Sequence, residues 1–185
     1  MHKTSGFTLF ELVVVMFIVA LLAAIAIPSF QYVTNSNRIA SEDNALLGDL
    51  QFARAEAIKE GQPVTVCIAN SASNGCATGL TTALWNEGWI VFTDLNNDQT
   101  VDTGDTIWRV QAAFSGTDTF TASGDVVAIT FNREGFASNV AAGTLITLHA
   151  ATASSASTRC LSVSLVGMTN ILTYGQVAAN GSTCS

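Results

Sequence analysis

The sequence predicts an α+β protein. A long N-terminal helix, transmembrane in its first half and amphipathic in its second, packs on a β-rich, mainly antiparallel C-terminal head. Three observations predict this. An apolar run interrupted by a single charge occupies Phe7–Ile27, and apolar residues then recur at helical spacing as far as Ala57. Beyond Pro63, short runs rich in Val, Ile, Thr and aromatics are separated by Gly, Asn, Asp and Ser clusters.

The first element is set by length and hydropathy. Phe7–Ile27 reads FTLFELVVVMFIVALLAAIAI, with Glu11 its one charge. At a rise of about 1.5 Å per residue, a helix of that length crosses the ~30 Å hydrocarbon core of a bilayer. Lys3 ahead of the run and the scarcity of cations behind it favour a cytoplasmic N-terminus and an exported remainder. A cleaved secretory signal is the alternative, with Ala24-Ile25-Ala26 as an A-x-A-like site. Against it stand Glu11, which costs roughly 2.5–3.5 kcal/mol inside a span, and a helical pattern that continues past Pro28.

The second half of the helix is amphipathic. Ile39, Leu46, Leu50, Ala53 and Ala57 fall on one face, while Asn37, Glu42, Asp49, Glu56 and Lys59 fall mostly elsewhere. Gly61 and Pro63 supply the stop. Pro28 is expected to bend or locally open the helix, because it lacks an N–H and its ring crowds the preceding turn. Strands are expected at Val64–Ala69, Trp89–Thr93, Thr106–Gln111, Val126–Phe131, Leu145–His149, Cys160–Val166 and Ile171–Gln176. Runs of strands after a helix argue for an antiparallel sheet. The small-residue stretch His149–Thr158 reads as a loop.

Charge excludes one broad class. The chain carries 7 Lys and Arg against 14 Asp and Glu, a formal charge of -7. Past Lys59 the only cations are Arg109, Arg133 and Arg159, so the basic footprint that phosphate neutralisation demands is missing. Catalytic signatures are missing too: there is no P-loop, no G-x-G-x-x-G, no G-x-S-x-G, and His149 stands alone beyond the N-terminal six residues. Trp85, Trp89 and Trp108 read as core or sheet-face packing.

The segment Gly6-Phe7-Thr8-Leu9-Phe10-Glu11 followed by an apolar helix resembles the class III leader of type IV pilins and pseudopilins. The resemblance implies cleavage between Gly6 and Phe7 by a prepilin peptidase and N-methylation of Phe7. It gives Glu11 a role in assembly, paired with the N-terminal ammonium of a neighbouring subunit, and places Pro28 at the kink of many pilin helices. The chain then divides into a leader (1–6), a transmembrane and filament-core helix (7–28), an amphipathic helix (29–61) and a β-rich head (62–185).

The segment Gly88-Trp89-Ile90-Val91-Phe92-Thr93-Asp94 and the Asn/Asp-rich turn after it are similar to a hairpin of the GspH/FimT branch of that family. The resemblance as a whole implies a minor pilin of a type IV pilus with an assembly-priming role and no enzymatic activity. The partners it implies are other pilins, the peptidase and the inner-membrane assembly machinery. The implied location is the bacterial inner membrane with the head in the periplasm before assembly, then a cell-surface pilus or a periplasmic pseudopilus. A type II secretion pseudopilin is one alternative. A DNA-uptake pilin is another, but the Gly-Arg-x-Arg segment of some FimT-like proteins has as its nearest counterpart Gly167-Met168-Thr169-Asn170, without either arginine.

Cys67, Cys76, Cys160 and Cys184 all follow the span; their even number and an exported location favour disulfides. Of three connectivities, Cys67–Cys76 with Cys160–Cys184 is favoured: the first closes a short loop and the second ties down the C-terminal tail. Zinc is disfavoured by the absence of C-x-x-C spacing. In Asp94–Asp105, oxygen donors at Asp94, Asn96, Asp98, Asp102 and Asp105 match positions 1, 3, 5, 9 and 12 of a calcium loop. Gln99 replaces the turn glycine, Asp105 replaces the bidentate Glu, and strand-like segments flank it. A solvated hairpin tip is therefore the preferred reading, no cofactor is expected, and calcium is the alternative.

Overall fold

The computed structural model describes residues 8–80, 83–114, 117–140, 143–149 and 157–185. The chain forms two compact units, Met1–Asn37 and Arg38–Ser185. Helix α1 (Leu9–Glu60) supplies the described structure of the first unit, apart from Thr8, and the opening element of the second. It runs helically through Pro28 and ends where Gly61, at φ 67°, donates its N–H to the Ala57 carbonyl at 3.0 Å. A left-handed residue at this position favours glycine and satisfies a carbonyl the helix leaves open.

In the first unit the helix is apolar on every side over Leu12–Ile27 and exposed almost throughout from Leu9 to Val33. The second unit is built differently. Strands β1 (Val64–Ile68), β2 (Gly88–Thr93), β3 (Ile107–Ala112) and β5 (Ala128–Phe131) form one sheet in the order β3-β2-β1-β5. Strands β4 (Thr119–Ala122), β6 (Thr144–His149), β7 (Arg159–Val163) and β8 (Thr169–Thr173) form the other in the order β4-β6-β7-β8. Every pairing is antiparallel.

Strand alternation builds three clusters. Ile39, Leu46, Leu50, Ala53 and Ala57 of α1 meet Val64, Val66 and Ile68 of β1, Trp89 and Val91 of β2, and Ile146, Leu148, Leu161 and Val163 of the second sheet in one core. The opposite face of the first sheet buries Cys67, Ile90 and Phe92 with Val101 and Ile107. The opposite face of the second buries Leu145 and Cys160 with Ala178 and Cys184 of the C-terminal tail. Burial of apolar surface at ~25 cal/mol/Å² is the main force holding such layers.

The expected helix face is the buried one, and all seven expected runs contain a strand, with shifts at their edges. Cys160–Val166 ends early at Val163, because Ser164–Met168 forms a turn: the Ser164 amide donates to the Met168 carbonyl and the Gly167 amide to that of Ser164. The last strand is Thr169–Thr173 rather than Ile171–Gln176, since Gln176 turns back through its amide to the Thr173 carbonyl. Strand β4, Thr-Phe-Thr-Ala, was not expected; it is four residues long and buries only Phe120 and Ala122. Glu42 is also a correction, as it is buried rather than on the solvent face. Of the loop expected at His149–Thr158, residues 150–156 lie outside the described residues; His149 ends β6.

Candidate functional site

The helix start is a capping box. Thr8 Oγ1 accepts the Glu11 amide N–H at 3.2 Å, and Glu11 Oε2 accepts the Thr8 amide and hydroxyl at 3.3 Å each. A helix leaves its first N–H groups without intrahelical acceptors, and this reciprocal pair answers one at each end of the motif. The Glu11 carboxylate is thereby held beside the positive end of the helix dipole, where negative charge is stabilised. Gly6 and Phe7, the residues of the leader junction, lie outside the described residues. Thr8 was missed as a contributor, although T-x-x-E at a helix start is a readable signal.

The helix that follows is long and apolar enough to cross a membrane. Phe10, Met16, Phe17, Leu22, Ile25 and Phe30 are all more than 60% exposed. A helix apolar all round is stable only when surrounded by lipid or by other helices. The segment therefore has the chemistry of an anchor and of a packing element, and Pro28 lies within it.

Within the second unit, polar groups latch α1 to the first sheet. Asp49 Oδ2 accepts the Trp89 indole N–H at 2.8 Å and Asp49 Oδ1 accepts an Arg109 guanidinium N–H at 2.7 Å. That guanidinium lies 3.7 Å from the centre of the Phe52 ring, within cation–π range. Trp85 and Trp89 are fully buried, whereas Trp108 on the edge strand is 42% exposed. Arg38 makes a two-pronged pair with Asp118, Nε to Oδ2 at 2.6 Å and Nη2 to Oδ1 at 2.7 Å.

The acidic loop caps the β2–β3 hairpin. Asp94 is fully buried and faces inward: Oδ2 accepts the Thr65 hydroxyl at 2.7 Å and the Gln99 amide at 3.0 Å, and Oδ1 accepts the Asp98 amide at 3.0 Å. Asp98 Oδ1 accepts from Thr100, and its other oxygen accepts from Asn96. Asp102 Oδ2 also accepts from Asn96, while Asp105 accepts from the Leu95 and Asp102 amides. Asp94, Asp98, Asp105 and one oxygen of Asp102 thus accept hydrogen bonds from loop donors, Asp94 also from Thr65 on β1. Among the described residues no group of three or more His, Cys, Asp or Glu is arranged to hold a metal. Gln99 takes φ 64°, the left-handed conformation that glycine supplies in a calcium loop.

Both disulfides lie at the rear of their sheets. Cys67–Cys76 closes over the outer face of the first, and Cys160–Cys184 holds the C-terminal tail on the outer face of the second. These are the two pairs favoured from the sequence. Cys160 and Cys184 are fully shielded from solvent.

Comparison with known proteins agrees with this architecture. The family described as "Type II transport protein GspH" matches residues 43–167, and the "Prokaryotic N-terminal methylation motif" matches residues 1–27. No curated protein matches the sequence. Two crystal structures of the type IV minor pilin FimU from Pseudomonas aeruginosa (strain PAO1) share the fold. The one in space group P21 has a TM-score of 0.60 at 18% identity, covering 80% of this chain and 96% of that one. The one in space group P65 has a TM-score of 0.55 at 19% identity, covering 80% and 99%. With a family match across most of the head and the methylation motif at its N-terminal end, this chain belongs to the GspH family of minor pilins and pseudopilins, structural subunits that assemble with other pilins into filaments.

Proposed function

We propose that this chain is a minor pilin of a type IV pilus, acting in assembly rather than catalysis. In this reading a prepilin peptidase cuts between Gly6 and Phe7, and the new terminal Phe7 is methylated. The apolar helix then holds the subunit in the inner membrane with the head in the periplasm. During assembly it leaves the bilayer, bends at Pro28 and packs among the helices of other pilins, and Glu11 exchanges its capping partner for a neighbour's terminal ammonium. One observation carries the reading: α1 is apolar and exposed over its first half, whereas the residues it gives to the head's core begin only at Ile39. The anchor is thus free to change surroundings, from lipid to protein, while the head stays folded.

Two disulfides suit a head exposed at the cell surface, outside reducing compartments. The family description favours the second reading, a type II secretion pseudopilin. Deleting the gene separates them. Loss of sheared surface filaments with secretion intact supports the pilus; normal filaments with failed protein secretion support the pseudopilin and reject the proposal.

A further inference from the structure

Two neighbouring carboxyls in the second unit have no use in the role described above. Glu42 and Asp43 sit on α1 at 5% and 0% exposure, between the core residues Ile39 and Leu46. Glu42 Oε2 and both Asp43 oxygens have no hydrogen-bond partner among the described residues. The nearby cation on the same helix, Arg38, has its guanidinium fork engaged with Asp118 on the segment ahead of β4. Asp118 adds negative charge facing Glu42, and Arg159 on β7 is the cation whose field reaches Asp43. Buried carboxyls without donors tolerate the neutral form far better than the charged one.

We propose that Glu42 and Asp43 form a proton-controlled latch that seats the Arg38–Leu46 stretch of α1 against the second sheet, closed when both are protonated and loosened when they ionise. The cluster has the composition of such a device: two unsatisfied carboxyls, a third carboxylate already claimed by Arg38, and one further cation across the interface. Burial pushes Glu42 up to about 7, aided by Asp118 and opposed by Arg38. Burial likewise pushes Asp43 up to about 6, opposed by Arg159. Both groups are raised above their unfolded values. Their contribution is complete below about pH 4 and is lost as pH rises through 6 and 7. The seat is therefore firm in mild acid and weakened above neutrality.

The test is amide hydrogen exchange of the full chain in detergent micelles between pH 5 and pH 8, corrected for the intrinsic pH dependence of exchange. Protection of residues 38–46, taken relative to residues 50–57, is expected to fall about tenfold or more across that range, since each unit of raised pKa is a tenfold bias between the protonation states. In the E42Q/D43N variant, whose side chains stay neutral, the fall is expected to vanish. Relative protection that changes less than about twofold in the wild type, or a fall of the same size in the variant, overturns the proposal. If the double variant does not fold, carbon-detected titration of the Glu42 and Asp43 carboxyls in the wild type decides. Midpoints near 6–7 support the latch, and midpoints near 4 reject it.

Discussion

Replacing Asp49 by Ala removes a polar tie between α1 and the first sheet, and its effect can be worked from the contacts. Trp89 is fully buried and its indole N–H has the Asp49 carboxylate as acceptor at 2.8 Å. Leaving a buried donor unpaired costs about 1–3 kcal/mol. The Arg109–Asp49 pair is nearly half-exposed on the arginine side, so its loss adds only about 0.2–1 kcal/mol. Alanine returns roughly 0.5 kcal/mol of helix propensity. The expected net destabilisation of D49A is about 1–3 kcal/mol. D49N, which keeps an oxygen for the indole but loses the charge, is expected to cost less than about 1 kcal/mol.

The assay is urea unfolding of the full chain in detergent micelles, followed by near-ultraviolet circular dichroism. A double-mutant cycle with W89F isolates the bond, because phenylalanine removes the donor. In the W89F background, D49A should cost about 1–2 kcal/mol less than in the wild type. Additive effects within about 0.3 kcal/mol would refute the reasoning, showing that the indole N–H draws no stability from Asp49.

Other outcomes follow from the same contacts. The loop closed by Cys160–Cys184 spans a sequence separation of 24 and that closed by Cys67–Cys76 a separation of 9. Chain entropy then predicts losses of about 3.5 and about 2.7 kcal/mol for the paired Cys→Ala variants, and a reversed order in urea midpoints counts against that account. Gln99→Gly relieves a left-handed φ and should raise stability by about 0.5–1 kcal/mol in the same unfolding assay. Several of the acidic loop's carboxylate oxygens accept hydrogen bonds from neighbouring donors, and the hairpin-tip reading predicts that EDTA and added calcium leave the melting temperature equal; a calcium-dependent rise of several degrees would support the cation reading instead.

The helix and its buried face were legible because a period of 3.6 leaves a trace at Ile39, Leu46, Leu50, Ala53 and Ala57. Most strands were legible through their Val/Ile/Thr runs and the turn residues between them. Strand β4 was not, since four residues with two small ones leave almost no pattern, and its place is set by pairing with β6. The division into two sheets was equally hidden, because it depends on which strands meet across long separations, such as β1 with β5. Glu42 was misread for a general reason. Composition marks carboxylates as solvent-seeking, and the burial of Glu42 at 5% exposure comes only with the assembled core of the head. Asp49 and Asp94 are polar in sequence yet act as internal acceptors, a role visible only once Trp89 and Thr65 are placed beside them. At the anchor the reverse held: Glu11 in an apolar run was conspicuous, and its partner Thr8 lay three residues ahead.

The central claim is that the N-terminal helix is a processed anchor that is retained in the assembled subunit. Mass spectrometry of the protein purified from its own membranes tests this most directly. The account predicts a chain beginning at Phe7 with a methylated α-amino group and retaining the whole of Phe7–Ile27. A mature chain that begins at Ile27, after Ala24-Ile25-Ala26, would contradict it: the helix would then be a discarded signal, and the subunit would have nothing with which to enter a filament core.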